Sequence, residues 1–254
     1  MKTALATCAA RLETGDPDRF AAVMALPPET RAPLFALYAA NLEIARAPWA
    51  SPEPMVAEIR LQWWIEALDA LARTGRDVPH DIGPALVNIP AQALEMLTEA
   101  AEARRVDCWS DPFADAARLW DYLEATAGAP MAAAGHCLQV PQAEARLRAL
   151  GTVTGLANWL IAQPELAARG RLKLAGAGAE SFADLAREGL ARLEAAQAAL
   201  QDAPRPARMA ALPGWQTRAV LERAVRAPEA VPSGRLREAE IKRRFGLLRA
   251  RLAL

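Results

Sequence analysis

Cysteine, histidine and tyrosine are scarce in this chain of 254 residues, which has three, two and two of them. Cys8, Cys108 and Cys137 are odd in number and far apart, so no metal-ligand spacing exists. Buried thiols in a reducing compartment are the expectation. His80 falls in a loop, and His136 sits on an apolar helix beside Cys137, where a histidine is more often a satisfied packing residue than a catalyst. The chain has no GxGxxG after a strand, no phosphate-binding loop, no zinc spacing and no nucleophile elbow. Segments that alternate apolar and polar residues with β-branched enrichment are also missing, which argues against strands. No run approaches the ~20 apolar residues that span a bilayer. Near the start, Arg11 and Glu13 interrupt the apolar run before it reaches signal-peptide length. The expected location is the cytoplasm, with peripheral contact at the inner face of a membrane. Neither sign of charge is in excess, since 30 basic and 30 acidic side chains cancel, so nucleic acid is not an expected partner.

What the chain does contain is alanine and leucine in quantity, with arginine and glutamate at polar positions. Hydrophobic residues make up 53%, which excludes a disordered chain. These side chains lose little freedom on a helical backbone, so the fold class is all-α. Prolines and glycines punctuate the helices. Pro27-Pro28-Glu29-Thr30 opens a helix through Leu34, Tyr38 and Ile44 that Pro48 stops. Another follows Ser51-Pro52-Glu53-Pro54 and ends near Gly75. Residues 78–90 form a connection holding a short helix, and a further helix spans 92–104. Asp111-Pro112 is expected to open the next, which runs past Tyr122 toward Cys137. Helices are expected over 143–161, from Ser181 (capped with Asp184) to Leu200, over 215–226 and over 236–252, with a proline-rich loop over 202–213. No fixed-period repeat or long linker divides the chain, so a single domain over 1–254 is expected.

The most informative run is Glu58-Ile59-Arg60-Leu61-Gln62-Trp63-Trp64. Adjacent helical residues point about 100° apart, so the two tryptophans cannot share one groove. One is expected in the core and the other at a helix boundary. Arg60 and Trp64 are one turn apart and able to stack, and Arg60 is equally able to pair with a nearby acid.

The order Asp18-Arg19-Phe20, Leu26-Pro27, Arg31 through Leu37-Tyr38-Ala39, then EIRLQWW, resembles the squalene/phytoene synthase family. Tyr122-Leu123-Glu124-Ala125-Thr126-Ala127-Gly128 continues the resemblance, as do Gly155-Leu156-Ala157-Asn158 and Arg169-Gly170-Arg171-Leu172-Lys173-Leu174. It covers roughly residues 17–175. It implies an isoprenoid-synthase-like helical bundle around a central apolar cavity. It also implies a head-to-head condensation of prenyl diphosphates, with magnesium held by two DxxxD motifs facing each other across the cavity mouth. Carboxylates at i and i+4 share one helix face, and magnesium bridges them to diphosphate oxygens.

This chain departs from that pattern. Counted from Tyr38, the first motif's aspartates fall at Ala45 and Trp49; counted back from Gly170-Arg171, the second motif's fall at Ala162 and Leu166. Arg46 replaces the acid usually adjacent to the first, Glu43 is about two residues out of register, and Asn158 is retained. Removing four carboxylates and adding a cation shifts the local formal charge by about +5. No catalytic residue and no metal ligand is therefore assigned, and no cofactor is expected; magnesium enters only if an active, displaced site exists. The candidate ligand-binding residues are Tyr38, Asn41, Arg46, Arg60, Trp63, Tyr122, Asn158, Arg169 and Arg171. Arg46, Arg169, Arg171 and Lys173 are read either as direct phosphate or carboxylate ligands or as solvated surface charges.

From Arg235 to the end, seven basic residues stand against two acidic ones, a net +5. Ile241, Phe245, Leu248 and Leu252 form one stripe of the last helix, which reads either as a peripheral contact with an anionic membrane or as a helix packed on the bundle. The Asn41-Leu42-Glu43-Ile44-Ala45 run and QWW are similar to the aspartate-lacking branch that includes the mitochondrial complex I assembly factor with a squalene/phytoene synthase domain. That similarity implies a non-catalytic protein in respiratory complex assembly, with complex subunits as partners, or a binder of an isoprenoid or lipid such as quinone. An active prenyltransferase with a displaced site and a scaffold with a filled core are the alternatives.

Overall fold

Prolines in the first helical turn set many of the helix starts, and glycines or prolines just beyond the last residue set several of the ends. The computed structural model describes residues 2–171, 174–176 and 178–254. Among these, apart from one isolated bridge between Phe113 and Leu174, regular structure is entirely helical. Helix α1 (Lys2–Gly15) and α2 (Pro17–Met24) meet at Asp16, whose carboxylate accepts from the Arg19 amide at 3.1 Å and caps α2. Helix α3 (Pro28–Arg46) starts with proline and Glu29 in its first turn, where neither needs an amide partner, and is buried from Leu34 through Asn41. Helix α4 (Pro54–Thr74) ends at Gly75, which takes φ = 70° and returns its amide to Leu71. The short α5 (Gly83–Leu86) and α6 (Ala91–Ala103) follow, and a tightened turn over Arg104–Cys108 continues α6.

Several sequence expectations shift. Helix α7 (Ala116–Leu123) opens at Asp115, whose carboxylate accepts from the Arg118 amide at 2.9 Å, rather than at Asp111-Pro112. It passes through a π turn over Glu124–Gly128 into α8 (Ala129–Cys137). Pro130 has no N–H to return to that turn, and within the turn the Thr126 hydroxyl also donates to the Tyr122 carbonyl at 2.7 Å. Helix α9 (Glu144–Ala168) carries Pro164 and runs past Ile161, stopping before Gly170 at φ = 68°. Helix α10 (Ala179–Leu200) begins after Gly178, so Ser181 is inside it and caps nothing. Within the stretch expected to be loop, α11 (Arg205–Ala210) forms, because Pro204 and Pro206 sit at its start, where proline is tolerated.

Helices α12 (Thr217–Arg226) and α13 (Glu240–Leu252) complete the chain. The last begins later than expected, since Leu236 is drawn into the core. One cluster of buried side chains connects Ala4 to Leu236. None of the residues of α13 is buried. It is tied down at its edges: Arg243 pairs with Asp18 and donates to Gln216, Gly246 lies against the Trp215 ring, and Arg208 donates to the Leu254 carbonyl. Its stripe of Ile241, Phe245, Leu248 and Leu252 faces outward. Among the described residues no helix is long and apolar enough to cross a membrane.

His136 bonds Glu144 at 2.8 Å, and His80 bonds Asp81 at 2.8 Å and packs on Trp64, so both histidines have partners. The three cysteines are free thiols; Cys8 and Cys108 are buried and Cys137 is partly so. Burial pushes Cys8 and Cys108 up to about 11 and Cys137 up to about 12.

Candidate functional site

A cavity of about 610 Å³ opens where the α1–α2 junction, the end of α3, the second half of α9 and the start of α12 meet. Small-molecule sites typically have roughly 300–1,000 Å³. Ala45, Trp49, Ala162 and Leu166, the four positions reached by counting from the motifs, all line it. The end of α3 and the turn after it supply the first two; the second half of α9 supplies the others.

Of the candidate ligand-binding residues, Asn41, Tyr122 and Asn158 line the same cavity. Arg169 and Arg171 stand at its edge, with guanidinium carbons 5.1 and 5.3 Å from the centre of the Trp49 ring. An aromatic ring facing two cations thus occupies one of the four positions counted from the motifs. Each such contact is worth about 0.5–2 kcal/mol. Arg171 also donates to the carbonyls of Pro48 (3.1 Å) and Asp107 (3.0 Å), fastening the segment after α9 to the turns before α4 and after α6.

Four candidates lie outside the cavity. Tyr38 is buried beneath Arg19, whose guanidinium is 4.8 Å from its ring centre, and burial pushes its phenol pKa up. Arg46 is half-exposed and pairs with Glu43 at 3.6 Å. Arg60 is on the exposed face of α4. Trp63 packs edge-to-face on Trp64 at 4.9 Å and also reaches His80. Trp64 is the core member of that pair. Lys173 lies outside the described residues.

The cavity wall contains a polar group that the motifs did not point to. Asp107 is completely buried and lines the cavity with Arg104 and Tyr122. Arg104 Nη1 donates to Asp107 Oδ2 at 2.9 Å and to Tyr122 Oη at 3.2 Å; Tyr122 Oη donates to Asp107 Oδ2 at 3.1 Å. Burial pushes the Asp107 carboxyl up, while Arg104 and Tyr122 pull it down. Burial works against the Arg104 charge, yet Tyr122 and Asp107 raise its pKa above the ordinary value. Burial and the adjacent Asp107 charge push the Tyr122 phenol up. The one signal in the sequence was an acid three residues after an arginine at the end of an apolar-faced helix. Asp16, Asp18, Arg19, Trp159, Gln216 and Arg237 complete a lining that is mixed rather than purely apolar.

The donor set does not fit a magnesium cluster. The four motif positions offer no oxygen, and the nearby acids already have arginine partners: Asp16 with Arg19 (3.2 Å), Asp18 with Arg237 (3.2 Å) and Arg243, Glu165 with Arg169 (2.7 Å). Among the described residues no three histidine, cysteine or acidic side chains converge as metal ligands.

The family model for squalene/phytoene synthase matches residues 12–182, more than half of the chain. The chain belongs to the squalene/phytoene synthase family. A search of the curated proteins gives no match. Among solved structures, the fold is similar to a dehydrosqualene synthase crystallised in complex with ligand, at TM-score 0.80 and 13% identity, covering 99% of this chain and 96% of that one. It is also similar to squalene synthase HpnC from Alicyclobacillus acidocaldarius, at TM-score 0.58 and 18% identity, covering 98% and 91%. The helical isoprenoid-synthase fold expected from the family motifs is therefore the fold observed.

Proposed function

We propose that this member of the squalene/phytoene synthase family binds an isoprenoid or lipid in its cavity without condensing prenyl diphosphates. The observation that carries the reading is the cavity mouth, with Ala45, Trp49, Ala162 and Leu166 at the motif positions and two arginines over Trp49. Ionising an allylic diphosphate requires charge neutralisation on the departing oxygens. Removing one such stabiliser commonly costs ~10²–10³ in rate, and here the whole carboxylate set is replaced. A cavity of about 610 Å³ supports a ligand-holding role over a filled scaffold.

The motif similarity to the aspartate-lacking branch supports a cellular role in assembly of respiratory complex I. The outward stripe of α13, set among Lys242, Arg243, Arg244, Arg249 and Arg251, supports peripheral contact with an anionic membrane.

The chemical test is pyrophosphate release from farnesyl or geranylgeranyl diphosphate with magnesium; the expected rate equals the blank. Turnover above it would overturn the non-catalytic reading and favour an active synthase. In a deletion strain, complex I activity should fall while carotenoid and hopanoid levels hold; unchanged complex I removes the assembly role. Sedimentation with phosphatidylglycerol vesicles should be lost in Phe245→Asp, and equal binding by that variant removes the membrane role of α13.

A further inference from the structure

A second cavity, of about 360 Å³, lies apart from the first and shares no lining residue with it. Leu5 of α1, Pro33 of α3, Ala85 of α5 and the end of α8 frame it, so its wall is mostly apolar. Among the described residues its lining holds no arginine, lysine, aspartate or glutamate. His136 lines it, but His136 bonds the Glu144 carboxylate at 2.8 Å. That pair carries no net positive charge whichever way the imidazole is protonated.

Gln139 is the unusual member of the wall. Helix α8 closes with two reversed bonds: the Gln139 amide donates to the His136 carbonyl at 3.0 Å, and the Val140 amide to the Gly135 carbonyl at 2.9 Å. This closure puts Gln139 at φ = 60°. Among the described residues every other position with positive φ is a glycine: Gly75, Gly170, Gly176 and Gly234. Glycine is favoured there because it has no Cβ to crowd the neighbouring carbonyl. A glutamine at such a point strains the backbone without helping the helix to end. Strain of this kind concentrates at ligand sites, and here the strained residue lines a cavity.

We infer that this cavity is a second ligand site, and that Gln139 is kept against the preference of its backbone to hydrogen-bond the occupant. The occupant is an uncharged molecule of about two fused rings with one hydrogen-bonding group. Its size follows from the volume: an engineered cavity of about 150 Å³ holds one benzene, and this cavity is more than twice as large. Its lack of charge follows from the lining, which offers no net charge of the opposite sign to an anion. Its polar group follows from Gln139 and Asn88, since a side-chain amide both donates and accepts. The site does not depend on the binding role proposed for the larger cavity.

The test uses the intact protein at neutral pH and three probes of one ring size: 2-naphthol, naphthalene and 2-naphthoate. Equilibrium dialysis, read from the fluorescence of the probe, gives the affinities. The naphthol should bind about tenfold tighter than naphthalene, the value of one hydrogen bond, and by a similar factor tighter than the naphthoate, whose carboxylate finds no cation. Peptide mass spectrometry places the site. Saturating naphthol should slow alkylation of Cys137, which lines the cavity, by N-ethylmaleimide; the buried Cys8 and Cys108 serve as internal references. In Gln139→Gly two readings should move in opposite directions. The melting temperature should rise by about 2–4 °C as the backbone relaxes, while naphthol affinity falls to the naphthalene value. A higher melting temperature with unchanged affinity overturns the role of Gln139 in binding. Naphthoate binding as tight as naphthol overturns the assignment of an uncharged ligand. No naphthol binding, or binding that leaves Cys137 unprotected, overturns the site.

Discussion

Gly151 and Gly155, in the first half of α9, approach the π turn so closely that a Cβ on Gly151 would sit 2.7 Å from the Ala127 carbonyl oxygen and one on Gly155 2.6 Å from the Ala127 Cβ. In the second half of the same helix, Asn158, Ala162 and Leu166 line an open cavity. At these two glycines the first half meets the π turn with no room for a Cβ, against backbone at Gly151 and against the Ala127 methyl at Gly155. The second half has room in front of it and carries Ala162 and Leu166 at the positions counted from the motifs. The contrast separates what the fold needs from what the chemistry needs. Close packing fixes the position of α9 against the wall, so the residues at the mouth are free to change without moving the helices that carry them.

Breaking the polar wall should have the largest effect. Asp107→Ala leaves Arg104 buried without its carboxylate, and the expected loss is about 3–5 kcal/mol. Chemical denaturation measures it, and a loss below about 1 kcal/mol would mean that the Arg104 charge is relieved elsewhere. Next comes the tight half of α9. Gly151→Ala should cost about 1–3 kcal/mol, since backbone atoms rather than flexible side chains stand in the way. At about 2–4 °C per kcal/mol, the melting temperature should fall by roughly 2–12 °C. At the mouth, Trp49→Ala removes the ring facing Arg169 and Arg171, two contacts of about 0.5–1 kcal/mol each where the cation is half-exposed, and should cost about 1–2 kcal/mol. Equal losses for Gly151→Ala and Trp49→Ala would erase the distinction between the two halves.

The smallest effect is invisible at neutral pH. The thiols of Cys8, Cys108 and Cys137 are raised by burial from the ordinary 9.0 to about 11, 11 and 12. The folded protein keeps protons there that the unfolded chain gives up. Their contribution to stability is complete below pH 9.0 and is lost as the pH rises through the folded values. Melting temperature followed upward from about pH 8 should decline, and Cys137→Ala should flatten the decline. An unchanged slope in that variant removes the thiol from the account.

Much of the helical order was legible because proline and glycine mark it: α3 and α4 begin and end, and α6 begins, where those residues put them. Prolines misled where they are compatible with helix. Pro204 and Pro206 begin α11, and Pro164 rides inside α9. At the site, counting from Tyr38 and from Gly170-Arg171 placed Ala45, Trp49, Ala162 and Leu166, and all four meet at one cavity. The Arg104–Asp107–Tyr122 group was not legible, because Tyr122 approaches from another helix, 15 residues beyond Asp107. Arg60 and Trp63 belong to the EIRLQWW run that carried the resemblance, but α4 packs chiefly on α6 and they lie outside the cavity.

The π turn over Glu124–Gly128 stands between Tyr122 on one side and the α8 segment on the other. Such a turn holds one residue more than a regular helix would. The π turn takes up that residue locally, whereas deleting one residue from the regular helix beside it would swing everything before the cut by about 100° relative to everything after it. Tyr122 would leave Asp107 although neither residue had changed. The alignment of the cavity wall with the helix packing is thus a matter of phase, carried by the number of residues between two points rather than by the identity of any one of them.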